Sequence, residues 1–82
     1  MSLSPIPLWV RLKDEEPAFI KMEGEWMLVG KAEDLPVGQP AMVTKRTTGD
    51  EIEVHILEHV MYRRVRHRGD TDLTYYVIAR FR

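Results

Sequence analysis

The sequence predicts an all-β fold, a small antiparallel meander of about six strands that curls on itself. Three observations carry this expectation. Over Glu51 to Leu57 the apolar residues Ile52, Val54 and Ile56 alternate with Glu51, Glu53 and His55, the period of a strand with one face buried. Short apolar runs are separated by compact turn signals at Glu23-Gly24, Thr47-Thr48-Gly49-Asp50 and Gly69-Asp70-Thr71-Asp72. Between two of these turns, Leu35-Pro36-Val37-Gly38 forms a corner: Pro36 fixes φ, Gly38 relieves a crowded reversal, and Leu35 supplies an apolar anchor.

Taken in order, Pro5 and Pro7 keep residues 1–7 extended, as a leader ahead of the domain. Leu8, Val10 and Leu12 then alternate with Trp9, Arg11 and Lys13, and this alternation predicts the first strand. Asp14-Glu15-Glu16-Pro17 breaks it. The second strand places Ala18, Ile20 and Met22 inward and Phe19 and Lys21 outward. Glu23-Gly24 has the two-residue spacing of a tight hairpin, with glycine available for positive φ, and leads into the third strand, Trp26 to Val29. After the Leu35 corner come the fourth strand, Ala41 to Arg46, and the fifth, which starts at Glu51.

Beyond Leu57 two readings compete. Leu57, Val60, Met61, Arg64 and Val65 fall at helical spacing, but β-branched and aromatic residues persist to Val65. Strict alternation would bury Glu58, and one extra residue near Leu57 removes that conflict, so a strand bent by a bulge is expected. The last strand, Leu73 to Phe81, sets Leu73, Tyr75, Val77, Ala79 and Phe81 on one side. Thr74, Tyr76, Ile78, Arg80 and Arg82 lie on the other, taken as outward.

The run from Trp26 to Ile56 resembles short β-modules that recur in actinobacterial and phage proteins. In these a tryptophan strand, an L-x-x-G corner and a V-T-K-R-x-G hairpin follow one another. Trp26, Leu35, Gly38, Val43, Thr44, Lys45, Arg46, Gly49 and Val54 carry the likeness; Ala41-Met42 and the arginine-rich segment after Val60 depart from it. From its strand pattern the meander is expected to close into a barrel, SH3-like or OB-like, or into a sandwich; the resemblance implies the SH3-like small barrel, in accessory proteins of which some work near DNA metabolism. It implies no assigned chemistry.

Composition narrows the functions. The chain of 82 residues has room for one core, so residues 1–82 are expected to form one domain. With no cysteine, a thiol nucleophile, a thiolate metal site and a disulfide are all excluded. No apolar run reaches the ~20 residues of a membrane span and no basic segment opens a secretory signal, so a cytoplasmic protein is expected. Net charge is −1, unevenly spread: residues 1–42 hold four Lys/Arg against seven Asp/Glu, residues 43–82 eight against six.

Catalytic constellations are thin, and no enzyme, cofactor or metal is expected. His55-Ile56-Leu57-Glu58-His59 matches H-x-x-E-H, but on a strand the two imidazoles stand about 13 Å apart, too far to share a metal. Ser2 and Ser4, the only serines, lie in the leader, and the glycines are separate turn residues. The strongest candidate is Arg63-Arg64-Val65-Arg66-His67-Arg68, whose guanidiniums suit phosphates or carboxylates. Arg63, Arg64, Arg66 and Arg68, extended by Tyr76 and Arg80 on the partner strand, compose an expected surface for nucleic-acid backbone and stacked bases. The same arginines also suit a structural role, balancing Glu51, Glu53, Asp70 and Asp72 across strands. The alternative function is a protein-interaction module, a phage-type effector or a homo-oligomer, using a strand edge or a patch of Trp9, Arg11, Phe19 and Lys21.

Overall fold

The structure, a computed structural model, describes residues 3–12, 17–66 and 73–82. It is mostly β, with strands β1 (Ser4–Pro5), β2 (Ala18–Met22), β3 (Glu25–Lys31), β4 (Pro40–Thr44), β5 (Glu51–Arg66) and β6 (Leu73–Phe81). A single 3-10 turn, Ala32–Asp34, follows β3, and no helix among the described residues is long and apolar enough to cross a membrane. The strand order is β1-β5-β6-β3-β2, with β4 also paired to β5. The sheet is mixed, because β1 runs parallel to β5, and among the described residues no strand pairing closes it into a barrel.

The β2–β3 hairpin follows directly from its turn. Glu23 and Gly24 both have positive φ, 50° and 80°, as a two-residue turn matching the strand twist requires. Gly49, at φ 77°, closes the β4–β5 hairpin, where its N–H donates to the Lys45 carbonyl at 2.7 Å.

β5 organises the rest. It runs sixteen residues without a helical break, and its register against β6 shifts between Ile56 and Glu58, as the extra residue near Leu57 requires, and again between His59 and Met61. One edge of β5 carries β6. The other carries β4 along Glu51 to His55 and then β1 at Met61 and Tyr62. At the crossover, the His55 N–H and C=O bond to Arg82 while those of Ile56 bond to Gln39 and Gly38, so every ladder group there is used on alternate sides.

Two apolar clusters lie on opposite faces of the β5-β6-β3-β2 sheet. One gathers Leu28, Leu35, Val43, Val54, Ile56, Val77 and Ala79; the other gathers Ile6, Val10, Met22, Tyr76 and Ile78. The Leu35 corner works as the sequence indicates: Leu35 is fully buried and Gly38, at φ 80°, donates to the Ile56 carbonyl at 2.8 Å. The second cluster is covered by the N-terminal segment, and here three expectations change. Residues 4 and 5 of the expected leader pair with the sheet, and Ile6 is buried. The expected first strand from Leu8 to Lys13 is not formed across its described residues: Val10 donates to the Pro7 carbonyl in a turn, leaving Leu8 93% exposed while Val10 stays buried. Because this segment caps the second face, Tyr76 points into a core and is 3% exposed, not outward.

Leu35→Ala removes the side chain on which the first cluster converges. It is expected to cost about 2–5 kcal/mol by urea unfolding, whereas the exposed neighbour substitution Val37→Ala should stay within about 0.5 kcal/mol. Equal effects at both positions would show that the corner does not anchor the core.

Candidate nucleic-acid interface

The second half of β5 sorts its side chains by parity once the two bulges have reset the register. Met61, Arg63 and Val65 oppose Ile78, Tyr76 and Thr74 on β6, on the face covered by the N-terminal segment. Tyr62, Arg64 and Arg66 oppose Val77, Tyr75 and Leu73, on the face that carries the Leu35 core farther along. Beyond the reach of that core this second face is open. Tyr62 is 43% and Tyr75 48% exposed, and Arg64 and Arg66 are exposed between and beside them.

The expected arginine surface is therefore divided. Arg63 is half-buried and structural: its Nη2 donates to the carbonyls of Ile6 and Pro7 at 2.7 and 2.6 Å, fastening the N-terminal segment to the sheet. Arg80 is exposed but neutralised, with Nε 3.3 Å from Glu25 Oε1 and Nη1 3.0 Å from Glu58 Oε1. The hydrogen bonds it donates to Glu58 and then to Glu25 hold its pKa above the ordinary guanidinium value. Being so exposed, these pairs contribute little to stability. Arg68 lies outside the described residues, and so do Gly69 to Asp72 and the Asp14-Glu15-Glu16 break. Tyr76 is withdrawn from the surface by its burial. Arg64 and Arg66 remain, and among the described residues neither meets an acidic side chain.

Tyr62 and Tyr75 take the place that the sequence reading assigned to Tyr76. Tyr75 sits directly opposite Arg64 in the ladder, where the Cβ atoms of an antiparallel pair stand about 5 Å apart, and Tyr62 lies two residues back on the same face. The signal for Tyr62 was present in its spacing from Arg64 and Arg66. The signal for Tyr75 was not, since period two alone does not say which end of a half-buried face the core covers. Beside Tyr75 a recess of about 510 Å³ is walled by Lys31, Ala32, Glu33, Leu73 and Thr74.

The other sequence candidates separate. Trp9 is exposed on the segment that covers one face, whereas Phe19 lies half-buried on the other, its ring 5.4 Å from that of Phe81 and tilted by 58°. Arg11 is exposed on the Trp9 segment and Lys21 on β2, where it faces Trp26, so the four residues form no common patch. In the H-x-x-E-H stretch His55 is exposed, Glu58 engages Arg80, and the His59 ring Nε2–H donates to the Leu35 carbonyl. No group of three or more His, Cys, Asp or Glu among the described residues is placed to hold a metal ion.

The role of Arg63 is open to measurement. Arg63→Ala should destabilise the fold by about 1–3 kcal/mol, because two buried-side carbonyls lose a charged donor. Amide exchange at Ile6 and Val10 should accelerate more than exchange at Leu28, with partial recovery in Arg63→Lys. Uniform acceleration across the sheet would instead mean that Arg63 does not specifically hold the N-terminal segment.

In comparisons with known proteins, the chain matches no family model, no curated protein and no solved structure.

Proposed function

We propose that this chain is a non-catalytic, SH3-like β-module accessory to nucleic-acid processing, which holds a single strand on the open end of its β5–β6 face. Arg64 and Arg66 contact phosphates, and Tyr62 and Tyr75 offer rings to the bases. One observation carries the reading: two exposed tyrosines and two arginines without acidic partners among the described residues share one face, Arg64 directly across the ladder from Tyr75. Proteins that bind single strands without strict sequence preference combine these two elements, a cationic track and aromatic platforms. The recess beside Tyr75 gives a base somewhere to go once it leaves the stack. A duplex fits less well, because its bases are already stacked and only its phosphates would be engaged.

The near-zero net charge of the chain matters here. With a formal charge of −1 the long-range field gives no general attraction for polyanions, so affinity depends on this local cluster. Binding should therefore be modest and strongly sensitive to single substitutions.

Fluorescence anisotropy with labelled single-stranded DNA, single-stranded RNA and duplex DNA, at several salt concentrations, tests the proposal. Single strands should bind more tightly than duplex. Arg64→Ala and Arg66→Ala should each lower the salt slope by roughly 0.7, the loss of one phosphate contact on a single strand. Tyr75→Ala should cost about 1–3 kcal/mol with the slope unchanged. Arg80→Ala, which removes an arginine already engaged by two glutamates, should leave binding as it was. No binding at low salt, or equal losses from Arg64→Ala and Arg80→Ala, would reject this surface.

A further inference from the structure

We infer a second binding site, independent of the nucleic-acid surface: the groove between the β2–β3 and β4–β5 hairpins takes an extended peptide of a partner protein in which acidic and apolar residues alternate. The groove has a volume of about 580 Å³. Its apolar surface comes from Phe19, Trp26, Ile52 and Phe81, and its lining includes the cations Lys45 and Arg46, of which Arg46 is already engaged within the fold. No aspartate or glutamate is among the described residues that line it. Lys21 adds a third positive charge alongside, its Nζ 5.8 Å from the centre of the Trp26 ring. An apolar surface accompanied by cationic side chains selects an occupant that is apolar with negative charge at its margin.

Two features favour a peptide over a small molecule. The groove is open to solvent rather than enclosed, whereas small-molecule sites typically enclose 70–90% of their ligand. It also borders a sheet edge. β2 ends the strand order, so Ala18 to Met22 have a ladder partner in β3 on one side, and no backbone hydrogen bond to another described element on the other. An incoming strand can pair with that edge while every second side chain turns toward Phe19 and Trp26, the arrangement by which exposed strands capture extended segments. Trp26 is 56% exposed although it is the largest apolar group on its hairpin, and a stacked apolar side chain would cover it. The acidic residues of the peptide then fall near Lys21 and Lys45.

The groove is separate from the tyrosine–arginine face. Phe81 and Tyr75 lie six residues apart on β6, about 20 Å at a strand's rise per residue.

Panning a random-peptide phage library against the full chain tests the assignment, with the binders remade as labelled synthetic peptides. Enriched sequences should alternate apolar residues with Asp or Glu. Their affinity should fall at least about tenfold in both Trp26→Ser and Lys45→Glu, exposed substitutions whose folding is checked by circular dichroism. Affinity should be unaffected by Arg64→Ala. Four results would overturn the inference: no enrichment, a basic consensus, binders indifferent to both groove variants, or a concentration-dependent dimer abolished by Trp26→Ser, which would give the groove to a second copy of the chain.

Discussion

The pairing of β5 with β6 is the constraint on which the other contacts depend. β6 is buried on both faces from Tyr76 to Ala79, with Val77 and Ala79 in one cluster and Tyr76 and Ile78 in the other. A strand buried on both faces in so short a chain needs two separate covers, and β5 recruits both on its far edge. Its first half holds β4 and, through Gly38 and Gln39, the Leu35 corner; its second half holds β1 and the N-terminal segment. The two register shifts lie between these halves, where the strand must turn from one cover to the other. Without cysteine, no covalent link supplements this arrangement.

The same geometry decides what each arginine can do. A parity shift at a bulge moves every later side chain to the opposite face. After the second bulge Arg63 faces the N-terminal segment and is used up on two carbonyls, while Arg64 and Arg66 face outward. Arg80 lies level with Glu58 in the ladder and close to Glu25, so its charge is already met. Four described arginines in two strands thus have two structural or neutralised members and two that face solvent. A local cluster of like charge survives in a chain with nearly balanced composition because the ladder separates it from its acids.

Much of the strand plan was legible in the sequence, and its limits have physical causes. The Glu23-Gly24 hairpin, the Leu35 corner, the Gly49 turn and the bend near Leu57 were readable because each is a local conflict with a local solution: a positive φ, an apolar anchor, a glutamate kept from the core. The N-terminal segment was not. Leu8-Trp9-Val10-Arg11-Leu12 alternates well enough for a strand, but Ser4 and Pro5 reach the edge of β5 first and the chain turns immediately afterwards. Local periodicity cannot register that a distant edge is already occupied. The burial of Tyr76 follows from the same event, since nothing in β6 itself reveals that its second face will be covered. The second bulge, at Val60, protects no charge and so left no mark in the pattern.

The two proposed surfaces share a face, and the Leu35 core stands between them. At one end of β6 the face emerges beyond the corner and displays Tyr75; at the other it opens where β2 and the β4–β5 hairpin diverge, over Phe81. Both open regions arise because a single corner is too small to cover the whole width of a nine-residue strand. Larger folds bury such remnants under further elements, but a chain of 82 residues has few to give. Apart from Trp9 on the N-terminal segment, the exposed aromatics among the described residues fall at these two margins: Tyr62 and Tyr75 at one, Trp26 at the other, each with cations close by. Substitutions at the two ends touch no common partner and lie well beyond contact distance, so their effects should add. If both proposed surfaces are occupied, β6, buried on both faces from Tyr76 to Ala79, sets the spacing between the two ligands.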